Sequence, residues 1–230
     1  SLPVNDVHIS NCSFSSVCAA IRIGLKSIGS ISDVHISHCS MKNVWREGIK
    51  IECSEGGNIS DINIQDITMN DVSRPIFILL NNRFEPDDLG SSLELDHIPE
   101  IGTMSDIIIS DIIASDSDEM RNTHYRFDDD VMGSPKFAGI RIDAEKNHPI
   151  RNLTLRNISY KFIGGVKLSD IPNEYPEVID KLIDCDTLSS ENYYPDWSRA
   201  SFMDIRNIIG LNVRNIQCLS LIHISEPTRH

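Results

Sequence analysis

Four basic residues occupy the same place in a recurring short phrase. They are Arg22 in Ile21-Arg22-Ile23, Lys50 in Ile49-Lys50-Ile51, Arg141 in Ile140-Arg141-Ile142 and Lys167 in Val166-Lys167-Leu168. Phe77 takes that place in Ile76-Phe77-Ile78. In a strand that buries its Ile or Val residues, the residue between them points out of the sheet. The five therefore form an outward row that concentrates positive charge on one face, where it would attract the carboxylates of an anionic polymer. Lys and Arg are also common on solvated sheet faces, and that plainer reading stays beside the first. Glu52 follows Lys50 on the same face. It suits a substrate hydrogen-bond acceptor, a catalytic carboxylate or, most simply, the partner of Lys50 in a surface charge pair.

Other residues with chemical potential read more plainly. Asp128-Asp129-Asp130 could bind calcium or supply a carboxylate, but the spacing is not that of an EF-hand and a solvated acidic loop is the simpler assignment. His8 and His35 lie one repeat apart and read as stacked surface residues rather than metal ligands. Cys12 and Cys39, also one repeat apart, read as neighbours in a core stack. The six cysteines contain no Cys-x-x-Cys pair, and no metal or cofactor site is expected. Tyr193, Tyr194 and Trp197 could stack against sugar rings or pack an excursion onto the body of the protein.

The elements that position these residues follow from a repeat. The phrase Asp6-Val7-His8-Ile9-Ser10-Asn11-Cys12-Ser13-Phe14 returns at Asp33 and Asp61, spacings of 27 and 28, with degenerate copies from Asp106, Asn152 and Gly210. Within each copy apolar residues alternate, break at one polar residue, and alternate again, describing two short strands joined at a corner. The corner residue is Asn11, His38, Asp66, Asp111, Asn157 or Asn215. Asn and Asp tolerate left-handed backbone angles and bond their own backbone. The Ile-x-Ile phrase supplies a third strand. Three strands and about 27–28 residues per turn predict an all-β chain, a right-handed parallel β-helix in which each coil buries its apolar residues against the next. Three longer insertions interrupt the period, near 79–102, 115–138 and 169–203, and would shape a binding surface.

Composition narrows the partners. The 230 residues hold 21 Lys and Arg against 34 Asp and Glu, a formal charge of −13, which disfavours nucleic acid and anionic membranes. No apolar run approaches the roughly 20 residues of a membrane-spanning helix. The stretch Leu219–Arg229 resembles a translated sequencing-adapter end, so residues 219–230 are expected to stand outside a single β-helix domain formed by 1–218. With a start at Ser1, the chain reads as a fragment of a longer protein, truncated at its N-terminal side.

The segment Val4 to Ile78, with NCSFSSVCAAIRIG, ISDVHISHCSM and REGIKIECSEGGNISDINIQDITMNDVSRPIFI, is similar to the C-terminal coils of family 28 glycoside hydrolases, the polygalacturonase and rhamnogalacturonase group. The segment Tyr193-Tyr194-Pro195 through Phe202-Met203-Asp204-Ile205-Arg206-Asn207 to Asn215 looks like that group's closing coil. The resemblance implies a pectin-lyase-like solenoid, an inverting hydrolase of pectin-type polysaccharide, no cofactor, and a monomer at full length. It places the family's site histidine on Ala19. Its Arg-Ile-Lys falls on Lys50-Ile51-Glu52, keeping one cation and replacing the other by an acid. It sets the general acid and base aspartates upstream of Ser1. Arg22, Lys50, Glu52, Arg141 and Lys167 are the expected substrate-binding residues. A non-catalytic glycan-binding β-helix is the alternative, for which Ala19 speaks most directly.

Overall fold

The computed structural model describes residues 2–24, 28–82, 84, 97–116, 139–162 and 202–220. Every regular element among them is a strand: β1 Val7–Ser10, β2 Ser13–Ser16, β3 Ile21–Gly24, β4 Ser30–Cys53, β5 Asn58–Leu80, β6 Thr103–Ser115, β7 Ile140–Ala144, β8 Ile150–Phe162, β9 Met203–Ile205, β10 Ile208–Ile209 and β11 Asn212–Ser220. All pairings between them are parallel. The stack runs β1-β4-β5-β6-β8-β11, so the chain forms a parallel β-helix, as the repeat predicts.

Corners make this possible. Asn11, His38, Asp66, Asp111, Asn157 and Asn215 all adopt φ between +51° and +58°. A second left-handed ladder, Asp6, Asp33, Asp61, Asp106, Asn152 and Gly210, stands at the start of each repeat, where the sequence reading saw only the beginning of a copy. Left-handed backbone is costly for most L-residues, and Asn and Asp are among the few that visit it routinely. The side chains also bond from coil to coil. Asn157 Nδ2 donates to Asp111 Oδ1 at 2.8 Å, Asn152 Nδ2 to Asp106 Oδ1 at 2.9 Å, and Asn215 Nδ2 to Asn157 Oδ1 at 2.9 Å.

These bonds favour the ionised acid. The Asn157 amide, with Ser110, holds the Asp111 carboxyl below its usual range, and Ser105 with Asn152 does the same for Asp106. A lowered folded-state pKa contributes stability that is present above the unfolded value and is lost as pH falls through the folded one. An NMR titration should therefore give Asp111 a midpoint below 3.8, and Asn157→Ala should raise it. An unchanged midpoint in the variant would show that the ladder does not set it.

Between the corners, alternate side chains point inward and stack in register. One row reads Ile9, Ile36, Ile64, Ile109 and Leu155, with the exposed Val213 in register at its end; another reads Ile21, Ile49, Ile76, Ile140 and Met203. Ile76 and Ile140 stand on adjacent rungs because Phe77 pairs Arg141 directly. Cys39 is buried in the row with Ile67, whereas Cys12 on the first coil is exposed, so only the first of these two thiols is a core residue. The strand β11 runs on through Leu219 and Ser220, which pair with Lys161 and Phe162, two residues beyond the expected boundary of the fold.

Candidate functional site: a buried charged row on the third sheet

The third sheet is built from β3, the ends of β4 and β5, β7 and β9. Its register places Arg22 opposite Lys50, Lys50 opposite Phe77, and Phe77 opposite Arg141. The outward row expected from the Ile-x-Ile phrase is therefore present, with Ile21, Ile49 and Ile76 behind it in the core. The rung beside Arg141 carries Asp204, the place the sequence reading gave to Lys167. Lys167, Asp128–Asp130, Tyr193, Tyr194 and Trp197 lie outside the described residues.

The row is not a solvated face. Lys50 and Glu52 are 0 % exposed and Phe77 and Arg141 are buried; the Arg22 side chain alone among these keeps 22 % exposure. The charges meet one another instead. Glu52 Oε2 accepts from an Arg22 terminal nitrogen at 2.5 Å, and its Oε1 lies 3.2 Å from Lys50 Nζ. Lys50 Nζ also sits 5.2 Å from the centre of the Phe77 ring, and the Arg74 guanidinium lies 5.3 Å from the same ring, within cation–π range. The expected surface pair of Lys50 and Glu52 thus exists, but it is desolvated and has gained a second cation. Removing water from such a pair is expensive unless the geometry and further hydrogen bonds compensate. Arg22 provides that compensation.

Tight backbone packing keeps Arg22 and Glu52 together. Gly24, two residues after Arg22, has φ +100°, and a Cβ there would stand 1.8 Å from the Glu52 carbonyl oxygen. Only glycine lets the two strands approach this closely while turning away after Ile23.

Sequence reasoning missed the far end of the face. Asp143 lies in register with Leu79 and Glu52, and its carboxyl is raised above the usual range by burial, against the pull of Arg141 and then Arg206. Arg206 grips Asp204 with two nitrogens, at 3.0 and 2.7 Å, and stands 4.0 Å from Asp143. Glu47 faces Arg74 across the sheet and lies 3.5 Å from the Arg46 Nε. The phrase Met203-Asp204-Ile205 carried a usable signal, since it repeats apolar-x-apolar.

Glu52 and Asp143 stand two rungs apart, about 9.6 Å along the axis at ~4.8 Å per rung. That separation is near the roughly 6.5–9.5 Å between the carboxyls of an inverting glycosidase. Both are buried, and Glu52 lies against two cations.

Away from this sheet, His8 and His35 stack with ring centres 5.0 Å apart and planes 7° from parallel, each bonded to the aspartate two residues before it. Each ring is thus tied to its own strand. Among the described residues no three His, Cys, Asp or Glu side chains converge in a way that could hold a metal. A shallow groove of about 640 Å³ runs along the same corner, lined by Asp33, Asp61, Asp106 and Asn152 of the corner ladder together with His35, Asn63 and Ile108. Cys53 is buried, and desolvation, then the Glu55 charge, pushes its thiol up to about 12, which keeps it protonated in the core.

No family model, no curated protein and no solved structure matches this chain.

Proposed function

We propose that this chain is the C-terminal part of a glycoside hydrolase acting on an acidic, pectin-type polysaccharide by inverting hydrolysis, with the general acid and base aspartates in coils upstream of Ser1. The chain supplies one wall of the cleft, and its contact with the substrate is the Arg22 end of the row. The observation that carries this reading is the charge and exposure of that end. Arg22 is a partly exposed guanidinium at the head of a register-matched row, and Glu52 Oε2 accepts from one of its terminal nitrogens at 2.5 Å. The similarity of the surrounding phrases to family 28 glycoside hydrolases supports the polysaccharide and the reaction. In this reading the buried cations Lys50 and Arg141 hold the wall together rather than touching the uronate.

The test is binding and turnover measured separately. Titration with polygalacturonate should show binding that weakens about fivefold in Arg22→Ala, the scale of one partly exposed charge pair, with neutral galactan unaffected. Unaltered polygalacturonate affinity in that variant would remove Arg22 from the site. The 230-residue chain should release no reducing sugar from pectin, whereas a longer chain that includes the upstream coils should. A second reading, a non-catalytic glycan-binding β-helix, is favoured by Ala19 standing where the resemblance sets a histidine. A longer chain that binds polygalacturonate but never cleaves it would establish that reading.

A further inference from the structure

The exposed apolar surface of the chain is concentrated at its two ends. Of ten large apolar side chains exposed among the described residues, eight fall within 2–28 or 209–219, and Ile108 and Ile113 are the two between them. The reason lies in the stack. A coil hides its inward residues against the coils above and below it, and among the described residues β1 pairs with β4 alone and β11 with β8 alone. Val213 is 41 % exposed at one end of the row in which Ile64 is wholly buried, and Ile9 at the other end is only partly covered. Each terminal strand also has an outer edge on which no described strand lies. Neither β1 nor β11 carries the Lys or Pro that commonly blunts such an edge.

We infer that these two ends form one interface: the last coil of one copy seats on the first coil of a second copy, and the parallel ladder runs on from chain to chain. Register supports this. Both coils are copies of the same phrase, so an in-phase joint sets Val213 against Ile9 of the second copy, Ile216 against its Cys12 and Cys218 against its Phe14. Every inward position then meets an apolar side chain or a thiol. The corners agree as well. Asn215 Nδ2 donates to Asn157 Oδ1 and Asn157 Nδ2 to Asp111 Oδ1, so each amide bonds the coil before its own. Asn11, at φ 57° beside 51° for Asn215, brings the next amide to Asn215 Oδ1 in the same backbone conformation. Because the joined surfaces differ, the contact is heterologous and does not close, and copies add into a fibre. Six rungs on the first sheet give about 29 Å per copy at ~4.8 Å per rung. The upstream coils of the proposed function would continue the stack from this same edge of the first coil, so the joint is one of the 230-residue chain, and it needs no glycan.

Two variants, each blocked at one end, separate this joint from any other. Val213→Lys puts a charge on the end of the last coil and Ile9→Lys on the end of the first, where a long side chain can carry its ammonium out to water. In analytical ultracentrifugation the natural chain should grow past the dimer as its concentration rises. Each variant alone should associate about thirtyfold more weakly, the loss of one central side chain from an interface. Mixed in equal amounts, the two should form a dimer and nothing larger, since each supplies the end that the other lacks. Dimers of Ile9→Lys alone would mean that two last coils meet, and dimers of Val213→Lys alone that two first coils do. Either result overturns the joint, as does a natural chain that stays monomeric up to about 1 mM.

The natural chain also gives a readout that does not depend on how the variants fold. Cys12 and Cys218, on the first and last coils, are exposed, whereas Cys53 is buried. The joint covers both exposed thiols, one with Ile216 and the other with Phe14. Iodoacetamide labelling, mapped by peptide mass, should slow severalfold at Cys12 and Cys218 together as the chain is concentrated, with Cys53 resistant throughout. Slowing at one of the two exposed thiols alone, or at neither, would show that the ends do not meet.

Discussion

Replacing Glu52 with Ala is expected to lower the stability of the chain by about 3–5 kcal/mol, the range for removing one member of a buried ion pair. The magnitude follows from what remains. Lys50 is fully buried and would lose the carboxylate 3.2 Å away, and Arg22 would lose its 2.5 Å contact. The loss should be read as a fall in the urea midpoint at unchanged slope, since the surface exposed on unfolding barely changes. Lys50→Met/Glu52→Leu should recover most of it, because apolar residues of similar volume can replace a buried pair at little net cost. A single variant as stable as the natural chain would show that the Glu52 carboxylate adds nothing net to stability.

The second large effect lies in the core. Ile64 is fully buried in the inward row, with Ile36 on one side and Ile109 on the other. Ile64→Ala should destabilise the chain by about 2–5 kcal/mol, since the coils on both sides fix the backbone and leave the cavity little means of collapse. Ile9→Ala is the control. Its residue belongs to the same row but is only partly buried, and Ile36 is its one register partner among the described residues. It should lose much less. Equal losses at the two positions would show that the stack does not support its middle coils more firmly than its first.

The contrast between these residues explains what could be read from the sequence. Corners were legible because a local property selects them. Asn, Asp or His recurs at one point of the phrase, and each of the six expected corner residues is left-handed. The side of the sheet taken by Arg22 and Lys50 was legible too, since alternation alone assigns it. Burial was not. A strand reveals which way a side chain points but not what it meets there. The bond between Arg22 and Glu52 spans 30 residues, and no local pattern announces it. Asp204 escaped for another reason. Its phrase follows a long excursion, so counting repeats from Arg141 reached Val166-Lys167-Leu168 first, although the paired rung is Met203-Asp204-Ile205. The second ladder was visible as a recurring Asp, but its corner role depends on backbone angles that the acid permits without demanding.

The spacing between stacked partners varies along the chain while the distance between rungs does not. Ser13 and Ser40 are 27 residues apart, Asn58 and Thr103 are 45, Asp106 and Asn152 are 46, and Asn157 and Asn215 are 58, yet each pair is joined across one step of the ladder. Chain can be added or removed between β5 and β6, β6 and β7, or β8 and β9 without moving any rung, because the closure entropy of a longer excursion grows only logarithmically. Recognition can therefore diversify in those three places at almost no structural expense. A change of one residue inside the phrase between two corners has no such freedom, for it would turn every inward Ile of that coil toward water.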